Sequence, residues 1–330
     1  MSTALVRTAV VIPCYRVTRH VLDVIAAIPD SVDVIVCVDD ACPDESGRYI
    51  EASCSDARVR VIRHEINQGV GGAVMTGYRT AIDLGCDVLV KIDGDGQMDP
   101  SLLPLFVAPI LRGEADYTKG NRFWDLTHIR RMPLARRLGN LGLSFLAKLS
   151  TGYWDVFDPT NGYTAIHARV AAHLPMASIS NRYFFETDMM FRLNILRARV
   201  IDVPMDAHYG DEESHLDARR ALFEFGFKHG RNFGKRILYN YFLRDLSVAS
   251  LELVVGLALA LFAVAFGGFH WAQGLASGAP TPVGTIMVAT VAAISGLQFL
   301  LAFVAYDIAS VPRSAVHPLL PMRRTAGIAR

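Results

Sequence analysis

Two acidic residues stand one position apart at the end of an apolar run, in the stretch Asp93-Gly94-Asp95-Gly96-Gln97. Their carboxylates can share a hard divalent cation, which takes oxygen ligands and, when it is magnesium, commonly bridges to a substrate phosphate. The same cation would neutralise a departing diphosphate. An Asp-x-Asp pair is also common on solvated acidic turns, so the elements around it must decide its role.

Three other functions for such a pattern conflict with the residues present. A haloacid-dehalogenase phosphatase carries its Asp-x-Asp near the N-terminus and has Thr or Val where Gln97 stands. A calcium loop requires Asp or Asn at that position. A dinucleotide-binding fold requires Gly-x-Gly-x-x-Gly after its first strand, but Gly69, Gly71 and Gly72 follow the third, and position 74 is Val. There is no Walker A motif either.

The acidic pair closes a regular series of elements. Between residue 7 and about residue 93, β-rich apolar runs alternate with helical stretches, which predicts the order βαβαβαβ and a mostly parallel, doubly wound α/β sheet. The strands that contain DVIVCV and DVLVKI both end in acidic residues. Because ligands of open α/β sheets bind at the carboxyl ends of the strands, the acids lie where a ligand is expected.

Composition narrows the class of protein further. Of the 330 residues, 52% are hydrophobic and 20% charged, which excludes disorder and favours a membrane protein. The net charge of +1 lacks the basic excess of a nucleic-acid binder, so no nucleic-acid partner is expected. The five cysteines are odd in number and contain no Cys-x-x-Cys pair, which argues against zinc or disulfides and for a reducing compartment.

The C-terminal part predicts membrane attachment. Residues 246–269 and 283–306 are each apolar enough and long enough to cross a hydrocarbon core about 30 Å thick. The loop between them has no Lys or Arg, whereas basic residues precede and follow the pair, so both ends are expected in the cytoplasm. Residues 216–245 combine basic and aromatic side chains and predict a helix on an anionic bilayer surface, with a surface helix packed on its own domain as the alternative.

These patterns predict four parts. They are a cytoplasmic domain (1–215), an amphipathic juxtamembrane helix region (216–245), a two-helix transmembrane hairpin (246–306) and a basic cytoplasmic tail (307–330). The N-terminal apolar stretch is too short for a signal peptide. The spans are rich in small residues, which permits helix association and a homo-oligomer.

Four motifs follow one another in the first hundred residues: VVIPCYR (10–16), VDDACPD (38–44), NQGVGGAVMTGY (67–78) and DGDGQMDP (93–100). In this order and spacing they resemble glycosyltransferase family 2, whose fold is called GT-A. The later GNRF (120–123), DPTNGYTAI (158–166) and the C-terminal hairpin resemble the branch of dolichol-phosphate mannose synthases and bacterial polyprenyl-phosphate glycosyltransferases.

The resemblance implies a role for each matching residue. Nucleotide-sugar contacts are expected from Pro13, Tyr15, Asp39, Asp40 and Asp93. Mg²⁺ or Mn²⁺ is expected at Asp93, Asp95 and Gln97. Catalytic roles are expected for Asp95, Asp158 and Arg122, and acceptor-phosphate contacts for Arg122, Arg136, Arg137, Ser214 and His215.

Departures from the family pattern weaken some of these assignments. Arg16-Val17 replace the usual Asn-Glu after Pro-x-Tyr, and Ala41-Cys42 replace Gly-Ser after the paired aspartates. His208 stands near a position where the synthases often carry arginine, so the acceptor contacts are the least supported. Glu186 and Asp188 lie two residues apart in a predicted helix and therefore do not share a face. A structural role is one interpretation; the resemblance also allows one of the two to act on the acceptor side, as such a pair does in some relatives.

The expected activity is inverting transfer of one sugar from a UDP- or GDP-linked donor to a polyprenyl phosphate, undecaprenyl or dolichyl. A phosphate monoester, with a second pKa near 6, is an anionic nucleophile at neutral pH and needs no general base. The arginines of residues 122–137 suit such a group. Two alternatives stay open: a family 2 transferase acting on a lipid-linked glycan or polysaccharide, and a catalytically dead membrane scaffold.

Overall fold

Seven short, mostly buried runs pair into one sheet in the computed structural model, which describes residues 6–124, 134–206 and 218–323. The strands are β1 (Thr8–Cys14), β2 (Val34–Asp39), β3 (Val59–Arg63), β4 (Val88–Lys91), β5 (Tyr117–Asn121), β6 (Thr164–His167) and β7 (Val200–Pro204). Their spatial order is β3-β2-β1-β4-β6-β5-β7. β6 runs antiparallel to β4 and β5, and the other pairs are parallel. The predicted mostly parallel α/β sheet is therefore confirmed.

The helices follow the strands in alternation through the first half of the chain. They are α1 (Val21–Ala27), α2 (Ser46–Ser53), α3 (Val70–Asp83), α4 (Leu103–Leu111), α5 (Leu134–Thr151), α6 (Ala168–His173), α7 (Phe185–Ile195), α8 (Ala218–Leu238), α9 (Val248–Ser277) and α10 (Val283–Ala309). A π-helical turn, Tyr239–Leu243, follows α8.

Helices on both faces explain the composition of the central strands. β1 and β2 read TAVVIPC and VIVCVD, and nearly every residue in them is buried. A continuous apolar run is the pattern of a parallel strand covered on both sides. α3 lies so close to β1 that a Cβ at Gly77 would overlap Val11, which is why glycine stands there.

The chain divides into two compact units. One comprises Met1–Phe233 with Pro312–Arg330, and the other comprises Gly234–Val311. The boundary between the units falls inside α8. The division into four parts predicted from the sequence stays a prediction.

The residues after α10 return to the sheet unit and pack there. Asp116, fully buried, accepts hydrogen bonds from the backbone N–H groups of Val316 and His317 at 2.8 Å each. The His317 Nδ1 also lies 2.8 Å from the Asp116 carboxylate, and the His317 ring stacks on His167. One buried carboxylate therefore anchors this C-terminal segment.

The second unit is a helical hairpin with a polar cluster. Among the described residues, α9 and α10 are the two helices long and apolar enough to cross a membrane. Gly256 and Gly296 let the two helices approach closely, because a Cβ at Gly296 would lie 3.1 Å from the Gly256 carbonyl oxygen. The buried side chains of Arg236 and Asp307 pair at 2.5 and 3.0 Å, and the Tyr241 hydroxyl donates to Asp307 at 2.6 Å.

Candidate active site

The loops after β1 and β2 interlock at the carboxyl edge of the sheet. Arg16 follows β1 with a positive φ of 59°, and its backbone N–H points to the Cys42 sulfur at 3.0 Å. Pro13 is the penultimate residue of β1, and Tyr15 just after it is 45% exposed, with the Arg16 guanidinium 5.6 Å from the centre of its ring. The exposed ring is accessible to a flat ligand, as the nucleotide-binding role expected of Pro13 and Tyr15 requires.

Asp39 is buried at the end of β2 and holds the start of α2. Its Oδ1 accepts the backbone N–H of Cys42 at 2.7 Å, and its Oδ2 accepts that of Gly47 at 2.6 Å. Each carboxylate oxygen keeps a second lone pair, so the predicted nucleotide-sugar contact is compatible with these bonds. The structure adds a role that the sequence did not indicate, since Asp39 also orders the loop.

Asp40 does the same for α3. Its carboxylate accepts the backbone N–H groups of Gln68 and Gly69 at 2.8 and 2.7 Å, and His64 Nδ1 lies 2.7 Å from Oδ1. Gly69 has a φ of +85°, a conformation that favours glycine. The predicted nucleotide-binding role of Asp40 remains a prediction.

Asp93 lies just beyond β4 and is paired with a buried lysine. Lys91 Nζ is 2.8 Å from Asp93 Oδ1 and 3.7 Å from Glu186 Oε1, and Lys91 is 1% exposed. Burial acts against the charged lysine, but Asp93 and Glu186 outweigh it and hold the pKa of Lys91 above its ordinary value. Burial raises the pKa of Glu186.

Asp95 and Gln97 belong to the turn that follows. The backbone N–H of Gln97 donates to Asp95 Oδ1 at 3.0 Å, and Gly96 between them has a φ of +78°. Asp93, Asp95 and Gln97 offer hard oxygen donors, which suit Mg²⁺ or Mn²⁺. Among the residues that the structure describes, no group of three or more His, Cys, Asp or Glu side chains could hold a metal. These donors are compatible with the metal site predicted from the sequence, which remains a prediction.

Arg122 and Asp158 form a bidentate ion pair. Arg122 Nε donates to Asp158 Oδ2 at 2.7 Å and a terminal nitrogen donates to Oδ1 at 3.0 Å. Asp158 is fully buried, whereas the Arg122 side chain is 30% exposed. Burial would raise the pKa of Asp158, but the guanidinium overcomes that effect and holds the pKa below its usual range. Such a carboxylate is a poor proton acceptor and a good anchor for Arg122.

The segment from Asp158 to Gly162 joins the two ion pairs. The carbonyl oxygen of Asn161 accepts a hydrogen bond from Lys119 Nζ, and the Asn161 side chain lies beside Asp158. A Cβ at Gly162 would collide with Lys91 Nζ and Asp93 Oδ2. The segment DPTNGYTAI therefore brings the Arg122 pair and the Asp93 pair to one edge of the sheet.

Two buried lysines were missed by the sequence analysis. Lys119 and Lys91 both pair in register with Thr164 of β6, one from each side, so they share a face of the sheet. Burial lowers the pKa of Lys119 to about 8. Their signal in the sequence is a lysine inside an apolar strand, as in VLVKI, where an exposed charge is not expected.

Glu186 and Asp188 point to different partners, as their spacing predicted. Glu186 faces Lys91, whereas the buried Asp188 accepts hydrogen bonds from the Ser180 backbone N–H at 2.9 Å and from Asn232 Nδ2 at 3.0 Å. Asp188 therefore binds α7 to α8, and Glu186 belongs to the charged site.

The remaining acceptor-phosphate predictions stay open. Ser214 and His215 lie outside the described residues, as does the side chain of Arg136. Arg137 is half-buried in the first turn of α5.

Comparison with known proteins gives a consistent picture. The profile of "Glycosyl transferase family 2" matches residues 9–174. The chain is 28% identical over 232 residues to the UDP-N-acetylglucosamine–dolichyl-phosphate N-acetylglucosaminyltransferase of Methanococcus voltae, covering 66% of this chain and 91% of that protein. It is 32% identical over 181 residues to the undecaprenyl-phosphate mannosyltransferase of Micrococcus luteus, covering 54% of this chain and 72% of that protein.

A solved structure shares the fold. Glucosyl-3-phosphoglycerate synthase from Mycobacterium tuberculosis, in complex with Mn²⁺, UDP-glucose and phosphoglyceric acid, superposes with a TM-score of 0.50 at 21% identity. The match covers 70% of this chain and 79% of that chain. At this identity the likeness concerns the fold alone.

Proposed function

The chain belongs to glycosyltransferase family 2, and from that premise we propose that it transfers one sugar, with inversion, from a nucleotide diphosphate sugar to a polyprenyl phosphate. The two relatives described above carry dolichyl-phosphate and undecaprenyl-phosphate in their names, which supports a lipid phosphate as the acceptor. The observation that carries the proposal is the meeting of the Asp93 and Arg122 pairs at one sheet edge through Asp158–Gly162.

The proposed donor side uses the carboxyl ends of β1, β2 and β4. Tyr15 offers an exposed ring for the base, and the loops ordered by Asp39 and Asp40 form the walls. Asp93, Asp95 and Gln97 would hold Mg²⁺ or Mn²⁺, which neutralises charge on the leaving diphosphate when bound.

Arg122 is the proposed contact to a phosphate group. Asp158 accepts two hydrogen bonds from the Arg122 guanidinium, and the Arg122 side chain stays partly exposed. The arginine is therefore oriented before substrate binds. A guanidinium stabilises negative charge that shifts from the acceptor phosphate to the leaving group. The acceptor phosphate is already an anion, so the proposed reaction needs no general base. Asp158 can therefore stay paired with Arg122 throughout.

Exposed apolar side chains support a lipid acceptor and attachment to a membrane. Leu141 and Phe145 of α5 are 62% and 55% exposed, and they lie four residues apart on one face. On α8, Phe227 and Arg231 are exposed, whereas His229 and Asn232 are buried against Ser150 and Asp188. A helix that packs one face on its domain can present the other to a bilayer. We propose that α9 and α10 span the membrane, with the sheet unit and both termini in the cytoplasm.

A donor and acceptor screen tests this function. Membranes containing the full chain are incubated with radiolabelled UDP- or GDP-sugars and undecaprenyl or dolichyl phosphate, and lipid products are separated by thin-layer chromatography. We expect one combination of donor and acceptor to give a labelled lipid. Mild acid should cleave this product, because it cleaves a sugar phosphodiester. A labelled product that resists mild acid would favour glycan extension, and absence of product with every pair would favour a non-catalytic scaffold.

A further inference from the structure

Lys91 is a buried cation placed between two carboxylates, one of which is a proposed metal ligand. Its Nζ lies 2.8 and 3.1 Å from the two oxygens of Asp93 and 3.7 Å from Glu186 Oε1. The lysine is 1% exposed, and glycine at position 162 leaves the room that Nζ and the Asp93 carboxylate occupy. A buried ammonium in this position neutralises Asp93 without needing anything from solvent.

This charge opposes a divalent cation at the same carboxylate. A second cation that binds Asp93 must share it with Lys91 and is repelled by the ammonium, since like charges a few ångströms apart in a poorly solvated site interact strongly. Glu186 has the opposite effect, because it draws the ammonium away from Asp93. In the absence of nucleotide, the affinity for the divalent cation therefore depends on how strongly Lys91 interacts with Asp93 relative to Glu186.

We propose that Lys91 acts through Asp93 as a built-in competitor of the divalent cation, so that the cation binds firmly only together with a nucleoside diphosphate. The diphosphate supplies the negative charge that Lys91 takes from Asp93, and its oxygens add ligands at a site where the described residues offer no group of three His, Cys, Asp or Glu side chains. Lys91 is a positioning residue in this account and does not touch the substrate. The inference rests on the proposed function, since it takes Asp93 as a metal ligand.

The test is the affinity for Mn²⁺ of the purified full chain in detergent, measured from the electron paramagnetic resonance signal of free Mn²⁺. Titrations are made with Mn²⁺ alone and with UDP or GDP added. For the native chain we expect Mn²⁺ to bind at least tenfold more tightly in the presence of one of the nucleotides. Lys91→Met should tighten binding of Mn²⁺ alone about tenfold and reduce the effect of the nucleotide.

Glu186→Gln should act in the opposite direction. It leaves the ammonium with Asp93 as its single carboxylate partner, so Mn²⁺ alone should bind severalfold more weakly than to the native chain. Opposite shifts from two neighbouring buried substitutions are not expected of damage to the fold, which would weaken binding in both. If both variants weaken binding, or Lys91→Met leaves it unchanged, the inference is wrong.

Two further variants protect the test against misfolding. Lys91→Met/Glu186→Gln removes both members of the buried pair, so no uncompensated carboxylate remains, and it should also bind Mn²⁺ alone more tightly than the native chain. Lys119→Met is the matched control, because it removes a buried lysine that faces Glu186 but bonds to the Asn161 carbonyl. It should change Mn²⁺ affinity less than threefold, and a tenfold rise there would overturn the specific role of Lys91.

The proposed metal site and the proposed role of Lys91 are distinguished by different results. If the native chain binds no Mn²⁺ with either nucleotide, the proposed metal site is wrong and the inference falls with it. If nucleotide-dependent binding is present but Lys91→Met does not tighten binding of Mn²⁺ alone, the inference fails and the proposed function stands.

Discussion

Two regions at the carboxyl ends of the strands hold their acidic side chains by different means: the end of β2, and the ends of β4 and β5. At the end of β2, Asp39 and Asp40 accept hydrogen bonds from backbone N–H groups of loops that begin helices, and Asp40 also lies 2.7 Å from His64 Nδ1. At the ends of β4 and β5, Asp93 is paired with Lys91, and Asp158 with Arg122. The amide-bound carboxylates order loops. Carboxylates paired with cations are neutralised, and they lie where the proposed reaction moves charge.

Asp202 of β7 is an aspartate without a direct ion pair among the described residues. Its Oδ2 accepts the Phe157 backbone N–H at 2.9 Å and Asn121 Nδ2 at 3.1 Å, but it has no ion-pair partner among the described residues. Burial raises its pKa to about 6, whereas the guanidinium of Arg122 keeps that of Asp158 low. The half-buried Asp202 and the fully buried Asp158 thus differ mainly through the ion pair with Arg122.

The largest effect is expected when the cation of a pair is removed. Arg122→Met leaves Asp158 buried and uncompensated, so the free energy of unfolding should fall by about 3 kcal/mol or more, and transfer should fall at least about 100-fold. Thermal unfolding in detergent and the transfer assay measure the two losses. Arg48→Ala, which breaks an exposed pair with Glu45, is the control and should cost about 0.5 kcal/mol or less. Equal losses in the two variants would contradict the comparison.

A smaller effect is expected at the end of β2, where the carboxylates are bonded to backbone amides. Asp39→Asn keeps one accepting oxygen and turns an NH₂ group toward a backbone N–H, of Cys42 or of Gly47. One buried hydrogen bond to a charged group is lost, and the free energy of unfolding should fall by about 2 kcal/mol. The same thermal measurement applies. A loss greater than that of Arg122→Met would show that amide-bound carboxylates matter more to stability than the paired ones.

The smallest effect should be a gain in stability. Because the pKa of Asp202 is raised to about 6, the native state binds its proton more tightly than the unfolded chain, and the cost of the buried charge is present above pH 6 and lost as pH falls toward 4. Asp202→Asn keeps both hydrogen bonds through one oxygen. It should stabilise the protein by about 1 to 2 kcal/mol at pH 7.5, less than the roughly 3 kcal/mol that a two-unit shift represents, because solvent reduces the effect.

The pH dependence distinguishes this explanation from a packing effect. The gain from Asp202→Asn should disappear when thermal unfolding is measured near pH 4, where the native carboxyl is already protonated. A gain that is the same at both values of pH would not come from the charge.

The parallel half of the sheet was predictable because its strands are specified by residues that are close together in the sequence. Apolar runs such as AVVI and DVIVCV predict strands buried on both faces. The observed strands end within one or two residues of these runs. The resemblance drawn from four motifs is confirmed by the family profile and the GT-A fold by the solved relative. Asp93, Asp95, Arg122 and Asp158 come to one edge of the sheet, although their roles stay predictions.

The other half was not predictable in the same way. β5 reads YTKGN, and its buried lysine is tolerated because Asn161 on a distant segment accepts its hydrogen bond. The antiparallel strand β6 is only four residues long. The basic stretch 123–140 contains the start of α5 at Leu134. Docking of residues 312–317 depends on Asp116, about 200 positions away in the sequence. Each of these features depends on contacts that spacing along the chain does not reveal.

The most direct test of the account is sugar transfer by isolated membranes that carry Asp95→Ala, compared with native membranes at equal protein abundance. If the acids after β4 hold the cation that positions the activated sugar, transfer to the lipid phosphate should fall about 1,000-fold or more while the protein remains present at a near-normal level. Undiminished transfer by Asp95→Ala at the same Mg²⁺ or Mn²⁺ concentration would contradict it.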